Sequence, residues 1–599
     1  MTEHKKPRNN ADGTTMTGAE MVVQALIDQG VKHIFGYPGG AVLPIFDEIY
    51  QQDQFQHILV RHEQAAGHAA EGYARSTGKV GVMLVTSGPG ATNSVTALQD
   101  ALMDSIPLVC FSGQVPTTLI GTDGFQEADT VGITRPCTKH NWLVKDVNDL
   151  SRIIHEAFYI AQTGRPGPVL IDIPKDIQFA SGIYTAPKSM PRASYRPQLE
   201  GDDKAIQYAV SMLAQAKKPV IYSGGGVISS GSEAVRLLRE LVDLGDFPIT
   251  STLMGLGAYP ASGKNWLGML GMHGTYEANM TMHDCDVMLA IGARFDDRIT
   301  GRLDAFAPNA RIIHIDIDPS SINKTVQVEV PIIGDVAHIL ENMTRSLRAL
   351  QQTPNKTERQ EWWDTINHWR ARNSLAFKQR SDAIMPQYAI QRLYELTKDK
   401  NAYITTEVGQ HQMWTAQYYG FDEPKHFMTS GGLGTMGYGF PSSIGVQVAN
   451  PDALVICVAG DASIQMNIQE LATAMQHKTP VKVFILNNNY MGMVRQWQQL
   501  LHGNRLSNSY TESMPDFVKL AEAYGAVGIR CSDPQELDAK IREMIECDKP
   551  VLFDCRVVNQ ENCFPMIPSG RAHNDMLLPD EANDEAVANA IDAKGRSLV

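Results

Sequence analysis

The sequence predicts an α/β protein of three doubly wound parallel-sheet domains, and three observations carry that prediction. Its 599 residues are several times the usual size of one hydrophobic core, so the chain must divide into domains. Short apolar runs alternate with helical patterns almost throughout, as they do where parallel strands are buried on both faces. Hydrophobic residues make up 43% and charged residues 20%, a globular composition that can fill several cores.

Taken in order, the apolar runs are VGVMLVTSG (80–88), PLVCFSG (107–113), PVLIDIP (168–174), PVIYSGGG (219–226), DVMLAIG (286–292), ALVICVAGD (453–461) and VKVFILNNN (481–489). Each reads as a buried strand. The Pro- and Ser-containing stretch 185–201 and the polar, Trp-containing stretch 351–373 read as boundaries, which cut the chain into three comparable parts. The first and third parts share a layout. In the first, a strand ending at Thr86 meets SGPGATN and a helix with Val95, Leu98 and Leu102 on one face; in the third, a strand ending at Ala459 meets GDAS and a helix with Ile464, Ile468, Leu471 and Met475 on one face. Two domains of one architecture, separated by a middle α/β domain, are expected.

The charge sum, 52 basic minus 66 acidic residues or −14, is spread without long runs of one sign and argues against a nucleic-acid partner. The first fourteen residues are polar and no run reaches the roughly 18 apolar residues that span a bilayer, so a cytoplasmic protein is expected. The eight cysteines include no CxxC pair and read as buried thiols.

GDAS at 460–463 lies where a strand hands over to a helix, so the amides of Ala462 and Ser463 would face an anion. Asp461 at that turn and Asn488 at the end of the next strand would lie together at the carboxyl edge of the sheet, where such folds bind ligands. Both offer hard oxygens, as a magnesium ion with a diphosphate requires. Singly, Asp461 reads as a helix cap and NNN as a polar turn; the pair at this spacing points to the ion. Glu63, in LVRHEQAAGHAAEGYA, falls just after a strand in the first turn of a helix, where a glutamate commonly faces only the helix dipole. In the middle part the strand ends SGGG (223–226), STLMG (251–255), IGARFDD (291–297) and HIDIDP (314–319) lack a GxGxxG. Gly-rich strand ends that admit a pyrophosphate, with acids after a late strand to meet ribose or adenine, suit FAD.

GD, a helix and NN resemble the diphosphate and magnesium motif of the thiamine diphosphate (ThDP) enzymes, and RHEQAA followed by TSGPGATN resembles the signature of their pyrimidine-binding domain. Ala462 departs from the family's usual Gly, and only a positive φ there would be a problem. GYPGGAVLPIFD (36–47), GQVPTTLIGTDGFQE (113–127), GRPGPVLIDIPKDIQ (164–178), GMHGT (271–275), GARFDDRITG (292–301), EVGQHQMW (407–414), GGLGTMGYGFP (431–441) and NNYMGMVRQWQ (488–498) extend the likeness over nearly the whole chain. They are similar to the catalytic subunits of the acetohydroxyacid synthase (acetolactate synthase) family.

The resemblance implies a pyrimidine-binding domain at 14–185, an FAD-binding domain at 201–350, a diphosphate- and magnesium-binding domain at 380–565 and a tail at 566–599. It implies that Glu63 hydrogen-bonds N1' of the aminopyrimidine and promotes proton loss from thiazolium C2, a task suited to a carboxyl in an apolar pocket. Gly39, Phe125, Gln126 and Lys175 match residues at the substrate pocket. Arg298 matches the arginine that pairs with the acceptor's carboxylate, although alone it reads as a surface ion pair with Asp296 or Asp297. Trp497 matches the residue that favours 2-ketobutyrate over pyruvate. Tyr37, Pro89, Asn93, Val408, Gly409, Gln410, His411, Met413, Gly434, Met436, Gly460, Ala462, Ser463, Met491, Gly492 and Met493 match ThDP contacts. Asp461, Asn488 and Tyr490 match the magnesium site. Arg165, Gly224, Gly225, Thr252, Leu253, Met272, His273, Gly292, Arg294, Asp316, Ile317 and Asp335 match FAD contacts.

The implied reaction is decarboxylation of pyruvate and transfer of the hydroxyethyl unit to a second pyruvate or 2-ketobutyrate, the first common step of valine, leucine and isoleucine synthesis, with FAD in a non-redox role. The alternative is a flavin oxidoreductase of the pyruvate oxidase type, against which Arg298 and Trp497 argue. The family also implies a homodimer or homotetramer with shared active sites and a separate small regulatory subunit.

Overall fold

The computed structural model describes residues 12–187, 195–350 and 356–579. Every apolar run forms a strand, and the strands assemble into three six-stranded sheets that are parallel throughout. The first sheet runs, edge to edge, Gln56–Leu59, His33–Gly36, Gly81–Val85, Leu108–Gln114, Pro168–Pro174 and His140–Leu143. The third runs Phe427–Met428, Ala402–Thr406, Leu454–Gly460, Lys482–Asn487, Val551–Arg556 and Val527–Cys531. Counted in chain order, both read 2-1-3-4-6-5. The middle sheet, Trp266–Met269, Ile249–Ser251, Pro219–Ser223, Val287–Ile291, Arg311–Asp316 and Val330–Ile333, reads 3-2-1-4-5-6, so its strand order reverses between Pro219–Ser223 and Val287–Ile291. A crevice opens at such a point in a doubly wound sheet.

The first and third domains meet through two helices rich in small residues. Helix Glu63–Thr77 starts where the His62 side chain accepts the Gln64 amide and ends at Gly78 with φ 76°. It lies so close to helix Gly439–Ala449 that a Cβ at Gly72 would stand 2.2 Å from the Ser442 carbonyl, and one at Gly445 would stand 1.8 Å from that of Ala69. Only glycine permits that approach.

Three expectations are corrected. The helix after GDAS is instead two 3₁₀ turns, Ser463–Met466 and Ile468–Glu470, followed by helix Leu471–Gln476. Asn467 breaks it at φ −133°, donating from its side chain to the Gly437 carbonyl; the apolar face survives, since Ile464 and Leu471 are buried with Ile468 and Met475 against them. The polar stretch taken as a boundary holds helix Lys356–Arg370, whose Trp362 and Ile366 are buried in the middle domain's core and whose Trp362 indole donates to the Pro219 carbonyl. Seven cysteines are buried thiols, but Cys547 is half-exposed. The end of the chain is described as far as residue 579: His573 is buried and bonds to the Ile299 carbonyl, and the remainder of the acidic tail lies outside the described residues.

Candidate active site

The carboxyl edge of the third sheet opens on a cavity of about 640 Å³, lined by Val408–Trp414, Gly434, Met436, Gly460–Ser463, Asn488 and Tyr490–Met493. Strands Leu454–Gly460 and Lys482–Asn487 are neighbours, so Asp461 and Asn488 leave the sheet side by side. Asp461 accepts the Asn489 and Ala462 amides, and Asn488 Oδ1 accepts the Tyr490 amide at 3.0 Å. Burial pushes the Asp461 carboxyl up to about 7, against the opposing pull of those amides. Ala462 lies at φ −79°, in the right-handed region, so the alanine costs no strain where the family has glycine.

Buried polar atoms on this wall without a partner among the described residues include Gln410 Oε1 and His411 Nε2. Burial drives His411 down to about 3, which leaves a neutral imidazole facing the cavity. Unpartnered buried polar atoms are costly, and an anion held with a cation would satisfy this donor and acceptor set, as a metal-bound diphosphate requires. The wall is made tight by Gly492, where a Cβ would meet Gln410 Oε1 at 2.1 Å. The loop carrying Gly434, at φ 74°, and Met436 is anchored by Glu407, whose carboxylate accepts the Gly437 amide at 2.6 Å and the Phe440 amide at 3.0 Å. Burial raises Glu407 to about 7. Sequence reasoning gave Glu407 no role, yet an acid ending the strand AYITT was a readable signal.

The middle domain supplies the rest of the cavity with Thr252, Leu253, Met272, His273, Arg294 and Arg298. Arg298 and Trp497, from different domains, meet at its mouth with the guanidinium carbon 6.0 Å from the indole centroid. Arg298 also lies 3.7 Å from Asp297, so the surface-pair reading of that residue is part of its geometry. A second cavity of about 590 Å³ continues from the first, sharing Met103, Thr252, Met254, Arg294 and Asp296, and is lined by Arg165, Gly225, Gly292, Asp316, Ile317 and Asp335. His273 Nε2 is buried without a partner in the first cavity, and burial holds that ring down at about 4. A long ligand with a polar ring edge at one end suits this cleft.

Gly224 packs on the chain itself: its Cβ would stand 2.1 Å from the Gly292 carbonyl, so the SGGG glycines let two loops touch beside the second cavity, which Gly225 and Gly226 line. Asp335 caps helix Val336–Ala349, accepting from Ala337, His338 and Ser230, and Arg165 donates to Ser105 with its guanidinium 3.4 Å from Asp318.

Of the residues expected in the first domain, Arg165 lines the second cavity and the others line neither cavity. Asn93 donates to Glu63 at 2.9 Å, a Cβ at Gly90 would come 3.5 Å from Glu63 Oε1, and Gly39 abuts Thr86. Gln126, at φ 60°, has its carbonyl against Gly88. Pro89 is exposed, Lys175 opens helix Lys175–Phe179 half-exposed, Tyr37 is 40% exposed and Phe125 is 90% exposed. None of these lines the cavity of the third domain.

Three family models match this architecture in order: the thiamine pyrophosphate enzyme N-terminal TPP binding domain at 16–133, the central domain at 206–343 and the C-terminal TPP binding domain at 407–555. The chain belongs to the thiamine pyrophosphate enzyme family. Within it, the chain is 52% identical over 568 residues to the acetolactate synthase isozyme 3 large subunit of Escherichia coli (strain K12), covering 94% of this chain and 98% of that protein. It is 50% identical over 566 residues to the acetolactate synthase large subunit of Haemophilus influenzae, and 47% over 567 residues to that of Pyropia yezoensis, covering 94% of this chain in each case and 98% and 95% of those proteins. Among the described residues no helix is long and apolar enough to cross a membrane.

Proposed function

We propose that this chain decarboxylates pyruvate and joins the remaining two-carbon unit to a second pyruvate or to 2-ketobutyrate, giving 2-acetolactate or 2-aceto-2-hydroxybutyrate. The observation that carries the reading is the meeting of Arg298 and Trp497 over the cavity that holds Asp461 and Asn488. The likeness to acetolactate synthase large subunits supports it. Thiamine diphosphate, when bound, supplies the electron sink for decarboxylation. Asp461 and Asn488, with Tyr490, would give oxygens to magnesium; the Ala462 and Ser463 amides with Gln410 and His411 would meet the diphosphate, and Met436 would support the bend of the cofactor. FAD would lie along the joined cleft between the middle domain and the first cavity.

Glu63 would come from a second copy; that it is not among the residues lining this cavity supports the reading. Exposed Tyr37, Leu43, Phe125 and Ile133 on the first domain, and Leu433, Met466 and Val494 on the third, support a homodimer in which apolar faces cover one another. There Glu63 would hold and move the proton at the pyrimidine N1'. Arg298 would orient the acceptor carboxylate by a charge-assisted pair, and Trp497 would pack on its alkyl end. The term large subunit in the relatives' names supports a separate small regulatory partner. The sheets support domains at 14–185, 201–350 and 380–565 with a tail at 566–599, and helix Lys356–Arg370 packs onto the middle one.

Product analysis tests the reading: pyruvate alone should give acetolactate, and added 2-ketobutyrate should divert the product. Because carboligation is redox-neutral, protein rebuilt with 5-deaza-FAD should regain synthesis, with oxygen uptake far below carbon dioxide release. Peroxide formed in step with decarboxylation would move the chain to the oxidase class.

A further inference from the structure

The loop Ser430–Met436 supplies one wall of the ThDP-type cavity, yet it is held by carboxylates of the first domain of the same chain. Asp104 accepts the Gly431 amide at 2.8 Å and the Gly432 amide at 2.7 Å, one on each oxygen. Asp100, wholly buried, accepts the Ser430 and Thr435 hydroxyls at 2.5 and 2.8 Å, while Ser430 Oγ accepts the Thr435 amide at 2.8 Å. Behind Asp100 stand Glu71 and His68, also wholly buried, with His68 Nδ1 3.0 Å from Glu71. Desolvation of this kind is costly for carboxyls; Asp104 also lines the second cavity, whereas Asp100, Glu71 and His68 line neither and reach the first cavity's wall only through the loop.

The loop's glycines pack closely against their neighbours. A Cβ at Gly431 would meet Met254 Sδ at 2.4 Å, and one at Gly432 would meet Asp104 at 2.8 Å and Arg294 at 3.1 Å. Arg294, which lines both cavities, donates to the Met103 carbonyl at 2.8 Å. The same helical strut that ends at Asp104 begins at Pro89: Pro89–Asn93 and Val95–Asp104 join through Ser94, which keeps helical angles. At its far end, on the order of 20 Å away, Asn93 holds Glu63.

We infer that Asp104 and Asp100 are positioning residues for the cofactor wall, so that each first domain presents Glu63 to one site and fixes the glycine loop of its own chain's site. This rests on the proposed thiamine diphosphate function. A carboxylate is needed at 104 because two adjacent amides converge on it; the carboxamide of asparagine accepts with one atom and sets its NH₂ against the other amide.

The experiment uses the FAD-loaded full chain and measures magnesium–ThDP binding by titration calorimetry, the KM for pyruvate, and the thermal midpoint. Asp104→Asn should weaken ThDP binding about tenfold, the loss of one hydrogen bond to a charged group, with the KM for pyruvate and the thermal midpoint unchanged. Thr435→Val, which removes one hydroxyl and keeps the shape, should act in the same direction by a smaller factor, and Thr435→Ser should restore binding. A lowered midpoint with wild-type ThDP affinity, or wild-type affinity in both variants, overturns the inference and leaves an ordinary interdomain contact. Absence of ThDP binding by the wild-type protein would instead overturn the function on which the inference rests.

Discussion

The first and third domains have the same strand order, 2-1-3-4-6-5, but they place their loops in opposite surroundings. In the third, the polar groups at the sheet edge are desolvated: Asp461 and Glu407 are raised to about 7 and His411 is lowered to about 3. In the first, the loops that carry Glu63, Pro89 and Phe125 face outward from the chain. One scaffold thus gives a desolvated pocket in one domain and an exposed face in the other. Helix Glu63–Thr77 and the strut ending at Asp104 fix the two domains to one another, so the difference lies in the loops.

Variants in matched positions can break this comparison. Glu63→Gln should have the largest effect: ThDP binding kept, with exchange of the thiazolium C2 proton slowed by about 100- to 10,000-fold, the range of a lost general acid–base group. Quenched NMR of that proton reads it, and wild-type exchange would remove the first domain from the chemistry. Asp461→Ala should instead lower magnesium and ThDP affinity together, by at least the roughly 10- to 100-fold that follows loss of even an outer-shell partner of a metal; calorimetry with unchanged affinity would refute the third domain as the binding half.

Trp497→Leu sharpens the comparison at the mouth of the pocket. Acetolactate formation should persist while the preference for 2-ketobutyrate falls, since one methyl contact is worth roughly 1 to 3 kcal/mol. A competition assay gives the ratio, and an unchanged ratio would make Trp497 mere packing against Leu500 and Met566.

The smallest effect concerns stability. Glu407 is raised from 4.5 to about 7 by burial, so the folded chain holds its proton more tightly than the unfolded one. That contribution is fully present below pH 4.5 and is lost as pH rises through about 7, amounting to roughly 3 kcal/mol at most. Glu407→Gln should lack this slope: the thermal midpoint of the wild type should exceed the variant's by more at pH 5 than at pH 8. Parallel curves would mean that Glu407 stays ionised in the fold.

Much of this was legible in the sequence because the information is local. Buried parallel strands need unbroken apolar runs, so all seven announce themselves, and the Asp461–Asn488 spacing follows from two adjacent strands ending at one edge. The helix after GDAS was misread because its apolar spacing is helical, whereas the break comes from Asn467 bonding to Gly437, thirty positions away in sequence. Helix Lys356–Arg370 was read as a boundary because its composition is polar; Trp362 and Ile366 identify its buried face only once the middle domain stands beside it.

By itself, then, the sequence determined the most apolar strands, the repeated architecture and the residue types that a metal-bound diphosphate and a carboxylate require, since these depend on side-chain chemistry and short-range spacing. Tertiary structure alone decided that Arg298 meets Trp497, that SGGG serves a contact between loops of the chain, that Asp104 grips a loop more than three hundred residues distant, and that Glu63 stands apart from the cavity. Each of those depends on how whole sheets dock. Docking is fixed by shape and burial summed over many residues, and no local pattern records the sum.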